Sequence, residues 1–200
     1  MNSENQLIGE YTVPLVYPGQ QETVGYNYQE DFPVGLLYVA QALNDIGIGT
    51  SIIDARKVDI SDMSLESALF VGFTVLTGDM ITRTLDAAKQ IRQENPAIPI
   101  VWGGVHATLL PEQTLDHSLV DIVVIGEGEK AIQDLAKCLM SKGDLADVKG
   151  IAFKDESGKF VRNETQDYID LDSLDYKLPY DQLDYDPAKL KKIPVHTSRG

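Results

Sequence analysis

Five short apolar segments alternate with segments of helical periodicity, and this alternation restricts the fold more than any other feature of the sequence. A strand, a helix and a further strand form a βαβ unit, whose right-handed crossover makes the two strands parallel. The last three apolar segments are nearly continuous runs, which is typical of parallel strands covered on both faces. The predicted strands span residues 12–18, 49–55, 69–75, 98–104 and 120–126.

The segments between these strands predict helices. Pro33 suits the start of the first helix and Gly47 its end, while Pro96 stops the second and Gly143 the last. The predicted helices span 32–47, 78–96 and 127–143, with shorter helical or turn segments at 61–68 and 111–119. The pattern predicts an α/β fold with a flavodoxin-like, doubly wound, five-stranded parallel sheet, a Rossmann-like arrangement in the order 2-1-3-4-5.

The C-terminal part of the chain has a different composition. Residues 148–163 predict a small β-hairpin with DESG as its turn. Residues 164–186, here called the strap, contain eight acidic residues and one basic residue, Lys177. The strap lacks the DxDxDG spacing of a calcium loop, and a solvated acidic connector is the simplest interpretation. The predicted organisation is a domain at 1–147, a hairpin extension at 148–163 and an acidic linker at 164–200.

Composition excludes several classes of function. The formal net charge of −14 disfavours nonspecific binding to nucleic acid, whose phosphates the chain would repel. A single cysteine, Cys138, allows neither a disulfide within the chain nor a multi-cysteine iron–sulfur site. No apolar run approaches the roughly 20 residues of a membrane span, and the N-terminus does not resemble a signal peptide. We expect a cytoplasmic protein without a membrane partner.

Glycines follow three of the predicted strands, at the edge where an open α/β sheet binds its ligands. They are Gly78, Gly103, Gly104, Gly126 and Gly128. Because glycine lets backbone approach a ligand closely, this edge is predicted to seat something large and flat. Clearance for helix packing is the structural alternative.

Other ligands of such sheets fit less well. GEGEKA (126–131) matches a dinucleotide pattern, but it lies in the last βα unit, and its two glutamates would repel a pyrophosphate. The segment after the first strand lacks the acidic cluster of a receiver domain. It is also a poor version of the phosphate loop of an FMN-binding flavodoxin.

The histidines and the cysteine suggest no catalytic or metal site. His106, His117 and His196 lie in different segments without ligand spacing. His106 lies at the ligand edge and is predicted to hydrogen-bond a ligand or backbone, whereas His117 is predicted on a helix surface. Cys138 falls inside a helix and is predicted to be an inert thiol.

Five stretches together resemble the N-terminal half of cobalamin-dependent radical SAM enzymes of the class B methyltransferase type. They are PVGLLYVAQAL, VGFTVLTGD, IVWGGVHAT, VDIVVIGEGE and HTSRG, in this order between residues 33 and 200. In that family SRG leads into a CxxxCxxC motif that holds a [4Fe–4S] cluster. The resemblance implies a cobalamin (B12)-binding domain whose partner is a C-terminal radical SAM domain in cis, absent from this chain.

The resemblance also implies the site. The corrin ring would lie across the carboxyl ends of the strands, with the nucleotide tail beside strands three to five. Gly103 and Gly104 would clear space for that tail, and Glu127 would accept hydrogen bonds from corrin amides or a ribose hydroxyl. The implied cofactor-binding residues are Tyr28, Thr74, Val75, Leu76, Thr77, Gly78, Gly103, Gly104, Val105, His106, Gly126, Glu127 and Gly128. Tyr28, like Tyr26, would pack against the corrin edge or serve structure alone.

Many other cobalamin domains carry a DxHxxG motif whose histidine binds cobalt. This chain has no such motif and no histidine before residue 106. The resemblance therefore implies base-off, His-off binding, with water or the loop after the third strand beneath the cobalt, Leu76 being nearest.

The enzymes that the chain resembles also use a [4Fe–4S] cluster and S-adenosylmethionine, and methylcobalamin commonly supplies a methyl group. The expected function is cobalamin binding as the N-terminal module of such an enzyme, most simply a methyltransferase, with the chain inactive alone. Two alternatives stay open. One is a stand-alone corrinoid carrier or sensor, and the other is a radical SAM N-terminal domain that has lost cobalamin.

Overall fold

A computed structural model describes residues 10–19, 33–170, 177–183, 186 and 188 of the chain. Within these residues seven strands form one sheet in the order β2-β1-β3-β4-β5-β6-β7. The strands are β1 (Thr12–Tyr17), β2 (Gly49–Asp54), β3 (Val71–Thr74), β4 (Ile100–Gly103), β5 (Ile122–Val124), β6 (Ile151–Lys154) and β7 (Phe160–Arg162). The first five pair in parallel, so the predicted doubly wound sheet and its order 2-1-3-4-5 are confirmed.

The hairpin joins this sheet instead of standing apart from it. β6 pairs antiparallel with β5, and β7 pairs antiparallel with β6, which makes seven strands where the sequence predicts five. In the turn, the Asp155 carboxylate accepts hydrogen bonds from the backbone N–H groups of Ser157 (2.9 Å) and Lys159 (3.0 Å). The hairpin covers the edge of β5, which would otherwise present unpaired backbone groups.

The helices of the described residues are α1 (Val34–Asp45), α2 (Asp79–Glu94), α3 (Val105–Leu109), α4 (Pro111–Leu115) and α5 (Gly128–Ser141). The three long helices match the predicted ones, with Pro33 before α1 and Gly47 in a left-handed conformation after it. Residues 61–68 hold only a short 3₁₀ turn at Ile60–Asp62. The sequence analysis missed α3, and Lys142, not Gly143, takes the left-handed conformation after α5.

Two helices share one face of the sheet. α1 packs against α5, and the Gln133 side-chain amide donates to the Ala42 carbonyl oxygen at 2.7 Å. Right-handed crossovers put α2 on the opposite face, because the β1–α1–β2 and β3–α2–β4 units progress in opposite directions along the sheet. The site lies between the first face and these two helices.

Two of the contacts between the described parts of the strap and the domain bear on the site. The Ile169 backbone N–H donates to Glu127 at 3.0 Å, and Leu183 forms an isolated parallel bridge with Ile52 on β2. In the described residues no helix is both long enough and apolar enough to cross a membrane.

Candidate functional site

A cavity of about 440 Å³ lies between the sheet and helices α1 and α5. This volume is in the range of small-molecule sites. Its wall is mainly apolar side chains and glycines, with few polar groups. The lining residues are Leu15, Gly35, Leu36, Tyr38, Val39, Gly72, Phe73, Thr74, Val101, Gly103, Gly104, Val105, Val124, Gly126, Gly128, Glu129 and Ile132.

Three lining glycines have no steric need to be glycine. A Cβ on Gly35 would meet no atom within 4 Å, and one on Gly103 would come no closer than 3.9 Å to its neighbours. A Cβ on Gly128 would make ordinary contact with Val39 at 3.5 Å. None of the three has a positive φ. Their missing side chains therefore keep the cavity open, and folding does not require them to be absent.

Gly104 differs from its neighbour Gly103, because its backbone conformation and its contact with β3 also require glycine. Its φ is +89°, and a Cβ would lie 2.9 Å from both the backbone N and the carbonyl O of Val75. Gly104 is glycine because the ends of β3 and β4 approach each other here. Gly126 also has a positive φ, +79°, but a Cβ on it would meet nothing within 4 Å.

Few polar side chains line the cavity. Thr74 is half-buried at the end of β3, and Tyr38 enters from α1. Glu129 lies in the first turn of α5 and is only 7% exposed. It is the acidic residue among those that line the cavity.

Glu127, which the resemblance implies as a hydrogen-bond acceptor for the cofactor, is engaged by the strap. It precedes α5 and is absent from the cavity wall, although its neighbours Gly126 and Gly128 line it. One carboxylate oxygen accepts the backbone N–H of Ile169 in the strap. Within the described residues, Glu127 thus contacts the connector while Glu129 faces the cavity.

The loop between β3 and α2 lies at the rim. Leu76 is 37% exposed there, and its backbone N–H points at the Met80 sulfur at 3.1 Å. Thr77 Oγ1 lies 3.1 Å from Nδ1 of His106. His106 is buried, and its backbone N–H donates to the Val75 carbonyl at 3.1 Å. Burial lowers the pKa of His106, which favours the neutral ring.

The same rim carries exposed apolar side chains. α3 lies over the ends of β4 and β5, where Thr108 Oγ1 accepts the Gly126 N–H at 3.0 Å. The exposed residues on this rim are Leu76, Val105, Leu109 and Leu110. Clustered exposed apolar groups mark ligand or partner surfaces more often than isolated ones do.

The structure brings together part of the predicted site. Thr74, Gly103, Gly104, Val105, Gly126 and Gly128 line the cavity. Leu76, Thr77, Gly78 and His106 form the adjacent rim, Val75 is fully buried, and Tyr28 and Tyr26 lie outside the described residues. The sequence analysis missed Gly35, Val39 and Glu129. The signal for Gly35 was present, because a glycine inside a helix is unfavourable by about 1 kcal/mol relative to alanine.

The remaining candidates lie away from the cavity. His117 is exposed, and its Nδ1 accepts the Leu119 N–H at 3.2 Å, while His196 lies outside the described residues. Burial, and then the charges of Asp144 and Asp147, raise the pKa of the Cys138 thiol, which makes it a weak nucleophile at neutral pH. No group of three or more metal-ligating side chains occurs in the described residues.

Comparison with known protein families gives a match to the B12 binding domain over residues 24–136, more than half of the chain. An uncharacterized methyltransferase of Pyrococcus horikoshii is 31% identical over 179 residues, covering 84% of this chain and 38% of that protein. The anaerobic magnesium-protoporphyrin IX monomethyl ester cyclase of Rubrivivax gelatinosus is 31% identical over 156 residues, covering 71% of this chain and 28% of that protein. The chain thus spans well under half the length of these two relatives.

A solved structure shares the fold. It is the radical S-adenosylmethionine methyltransferase TsrM from Kitasatospora setae, with cobalamin and a [4Fe-4S] cluster bound. The TM-score is 0.65 at 24% identity, over 77% of this chain and 29% of that one. At this identity the match establishes a shared architecture alone.

Proposed function

Because the chain belongs to the B12-binding domain family, with cobalamin as the cofactor of that family, we propose that it serves as the cobalamin-binding module of a radical SAM enzyme. The family match confirms the resemblance seen in the sequence. One structural observation carries the fit of cobalamin to this chain: the cavity is kept open by Gly35, Gly103 and Gly128, none of which the packing requires.

The cavity suits the nucleotide tail of the cofactor. Its apolar walls match a base released from cobalt, and the three glycines allow close approach of backbone. Thr74 would donate a hydrogen bond to the tail. Glu129 would accept one from a ribose hydroxyl, a role that the resemblance implies for Glu127.

The rim suits the corrin ring. Leu76 and Val105 present exposed apolar surface next to the cavity mouth, and Thr77 and Gly78 lie on the same loop. A flat macrocycle over this rim would bury apolar side chains that otherwise face water. This arrangement keeps the ring at the carboxyl edge of the parallel strands, where open α/β sheets bind ligands.

We propose base-off, His-off binding. His106 supports this because its Nδ1 is engaged with Thr77 and its ring is buried, so it is not presented as a cobalt ligand. The lower face of the cobalt would be covered by water or by the loop that carries Leu76. An EPR spectrum of the cob(II)alamin form with hyperfine structure from a protein nitrogen would contradict this proposal.

A radical SAM domain in cis is part of the proposal. Leu183 runs parallel to β2, so the strap is directed at this point toward the carboxyl edge of the sheet, where the cofactor would lie. A domain after the strap would start from that edge. The domain limits at 1–147, 148–163 and 164–200, and the cytoplasmic location, stay predictions.

The proposed chemistry takes place in the whole enzyme with cobalamin bound. When bound, cobalamin supplies a methyl group for transfer in enzymes of this type, while this chain binds the cofactor, orients it and limits water at the cobalt. We propose methyl transfer because one relative is named a methyltransferase. A cyclase among the relatives makes ring formation the second candidate.

Retention of hydroxocobalamin tests the proposal. The chain is incubated with hydroxocobalamin, desalted and examined by visible absorption, and we expect corrin bands to remain with the protein. Gly103→Val should abolish retention because its side chain fills the cavity. Gly49→Val is the matched control, because Gly49 lies on β2 outside the cavity and has room for a side chain.

Absence of corrin bands from the wild-type chain would overturn the proposal in favour of a domain that has lost cobalamin. Equal retention by Gly103→Val and wild type would show that the cofactor does not occupy the cavity.

A further inference from the structure

The strap reaches the loop between β5 and α5 along the side of α5. Gly150 N–H donates to the Glu164 carbonyl at 2.7 Å, and the Lys149 ammonium pairs with the Glu164 carboxylate at 2.9 Å. Further along, the Gln166 amide donates to Asp134 on α5 at 3.3 Å. The bond from Ile169 to Glu127 follows three residues later. The strap is therefore held against the domain at successive points, the last of which is Glu127 in the loop between β5 and α5.

At the last of these points, one hydrogen bond joins two negatively charged parts of the chain. Ile169 lies between Asp167 and Tyr168 on one side and Asp170 on the other, and Glu127 adds a further negative charge. Tyr168 is 94% exposed, so it adds little packing. The carboxylate of Glu127 nevertheless accepts the backbone N–H of Ile169, a charge-assisted bond of the stronger kind.

Glu127 also lies where a ligand in the cavity would affect it. Gly126 and Gly128 on either side of it line the cavity, and a Cβ on Gly126 would meet no neighbour within 4 Å. A ligand in the cavity would pack against both glycines and so restrict the short segment that carries Glu127. Restricting the loop restricts the Glu127 carboxylate and favours its bond to the strap.

We propose that Glu127 is a positioning residue that couples occupancy of the cavity to the strap, and does not contact the cofactor. This inference rests on the proposed function, since the occupant is cobalamin. Loading the cavity strengthens the Glu127–Ile169 bond and fixes the strap where it passes the carboxyl edge. By linkage, a strap held in place favours the loaded state to the same extent.

Amide exchange of Ile169, followed by NMR with and without hydroxocobalamin, tests the coupling in the 200-residue chain. In the wild type we expect cobalamin to slow this exchange about fivefold or more. Glu127→Ala should remove the response while cobalamin is still retained on desalting. Glu127→Gln keeps a carbonyl acceptor and should restore the response in part. Glu164→Ala, which removes the ion pair to Lys149 without touching the loop, is the matched control and should respond as wild type does.

Three results would overturn the inference, and they can be told apart. If the wild type retains cobalamin but the amide exchange rate of Ile169 does not change, the coupling is contradicted and the proposed function is unaffected. A loss of cobalamin affinity by Glu127→Ala far beyond the roughly fivefold weakening that linkage predicts makes Glu127 a cofactor contact. Failure of the wild type to retain cobalamin removes the proposed function and the inference together.

Discussion

The two faces of β3 and β4 differ in how they are filled, although both strands are apolar throughout. On one face Val71 pairs with Ile100 and Phe73 with Trp102, and all four side chains are buried. On the other face the paired positions are Gly72 with Val101 and Thr74 with Gly103, and here the cavity lies. Both pairs on this second face contain a glycine, whereas neither pair on the first face does.

This difference separates packing from binding. A strand that served the core alone would gain from large side chains on both faces, since burial stabilises by about 25 cal/mol per Å² of apolar surface. On the second face the Leu15 side chain occupies the space beside Gly72, where a Cβ would lie 2.9 Å from it, whereas the space beside Gly103 is open to the cavity. One face therefore leaves a cavity, and the filled face holds the fold together.

The largest effect that would test the comparison is expected on the filled face. Trp102→Ala should destabilise the protein by about 3–5 kcal/mol, because it leaves a cavity in a packed layer. In the described residues the Trp102 indole N–H has no hydrogen-bond partner, so Trp102→Phe should cost less. Urea unfolding measures both variants. A loss below about 1 kcal/mol for Trp102→Ala would show that this face is not close-packed.

Gly103, the last residue of β4, and Gly104, which follows it, sharpen the comparison at a single step along the chain. Gly104→Ala should destabilise by about 2–4 kcal/mol, because its φ is +89° and the new Cβ would press on the Val75 backbone. Gly103→Ala should stay within about 1 kcal/mol of wild type or gain stability, since alanine loses less conformational entropy. Thermal or urea unfolding of the two variants side by side gives the answer, and equal losses would contradict it.

The smallest effect is expected for His106, which lies at the rim of the cavity. Burial lowers the pKa of His106 from its ordinary value of 6.5, so the unfolded chain binds this proton more readily than the folded one. Stability from the neutral ring is complete above pH 6.5 and is lost as the pH falls from there toward the folded pKa. His106→Gln removes this titration.

Unfolding free energies of both proteins at about pH 7.5 and about pH 5.5 provide the measurement. The wild type should lose more stability on acidification than His106→Gln does. An identical loss in the two proteins would show that the imidazole does not contribute.

The sequence was sufficient for the elements that repeat a pattern. Five apolar runs and three amphipathic segments predict the parallel strands, their order and the long helices, because burial on both faces leaves a clear signature. α3 has only five residues, too few to show a helical period. The pairing of β6 with β5 could not be derived, because the partner of an edge strand is set by the tertiary structure.

The site was predictable at the strand ends and not on the helices. Gly103 and Gly104 look alike in sequence, and only φ and the distance to Val75 separate a ligand-facing glycine from a structural one. Glu127 and Glu129 are equally plausible acceptors in the sequence. Glu129, in the first turn of α5, lines the cavity, whereas Glu127 meets the strap, whose path is not encoded in the local pattern.

The bridge between Leu183 and Ile52 has a practical consequence for producing this protein. β2 is an outer strand of the sheet, and in the described residues its free side is met by Leu183, which is buried. A chain truncated before residue 177 would expose that side, and unprotected outer strands template self-association. Shortened versions for crystallisation or spectroscopy should therefore retain residues 177–183, even though they follow the compact α/β unit.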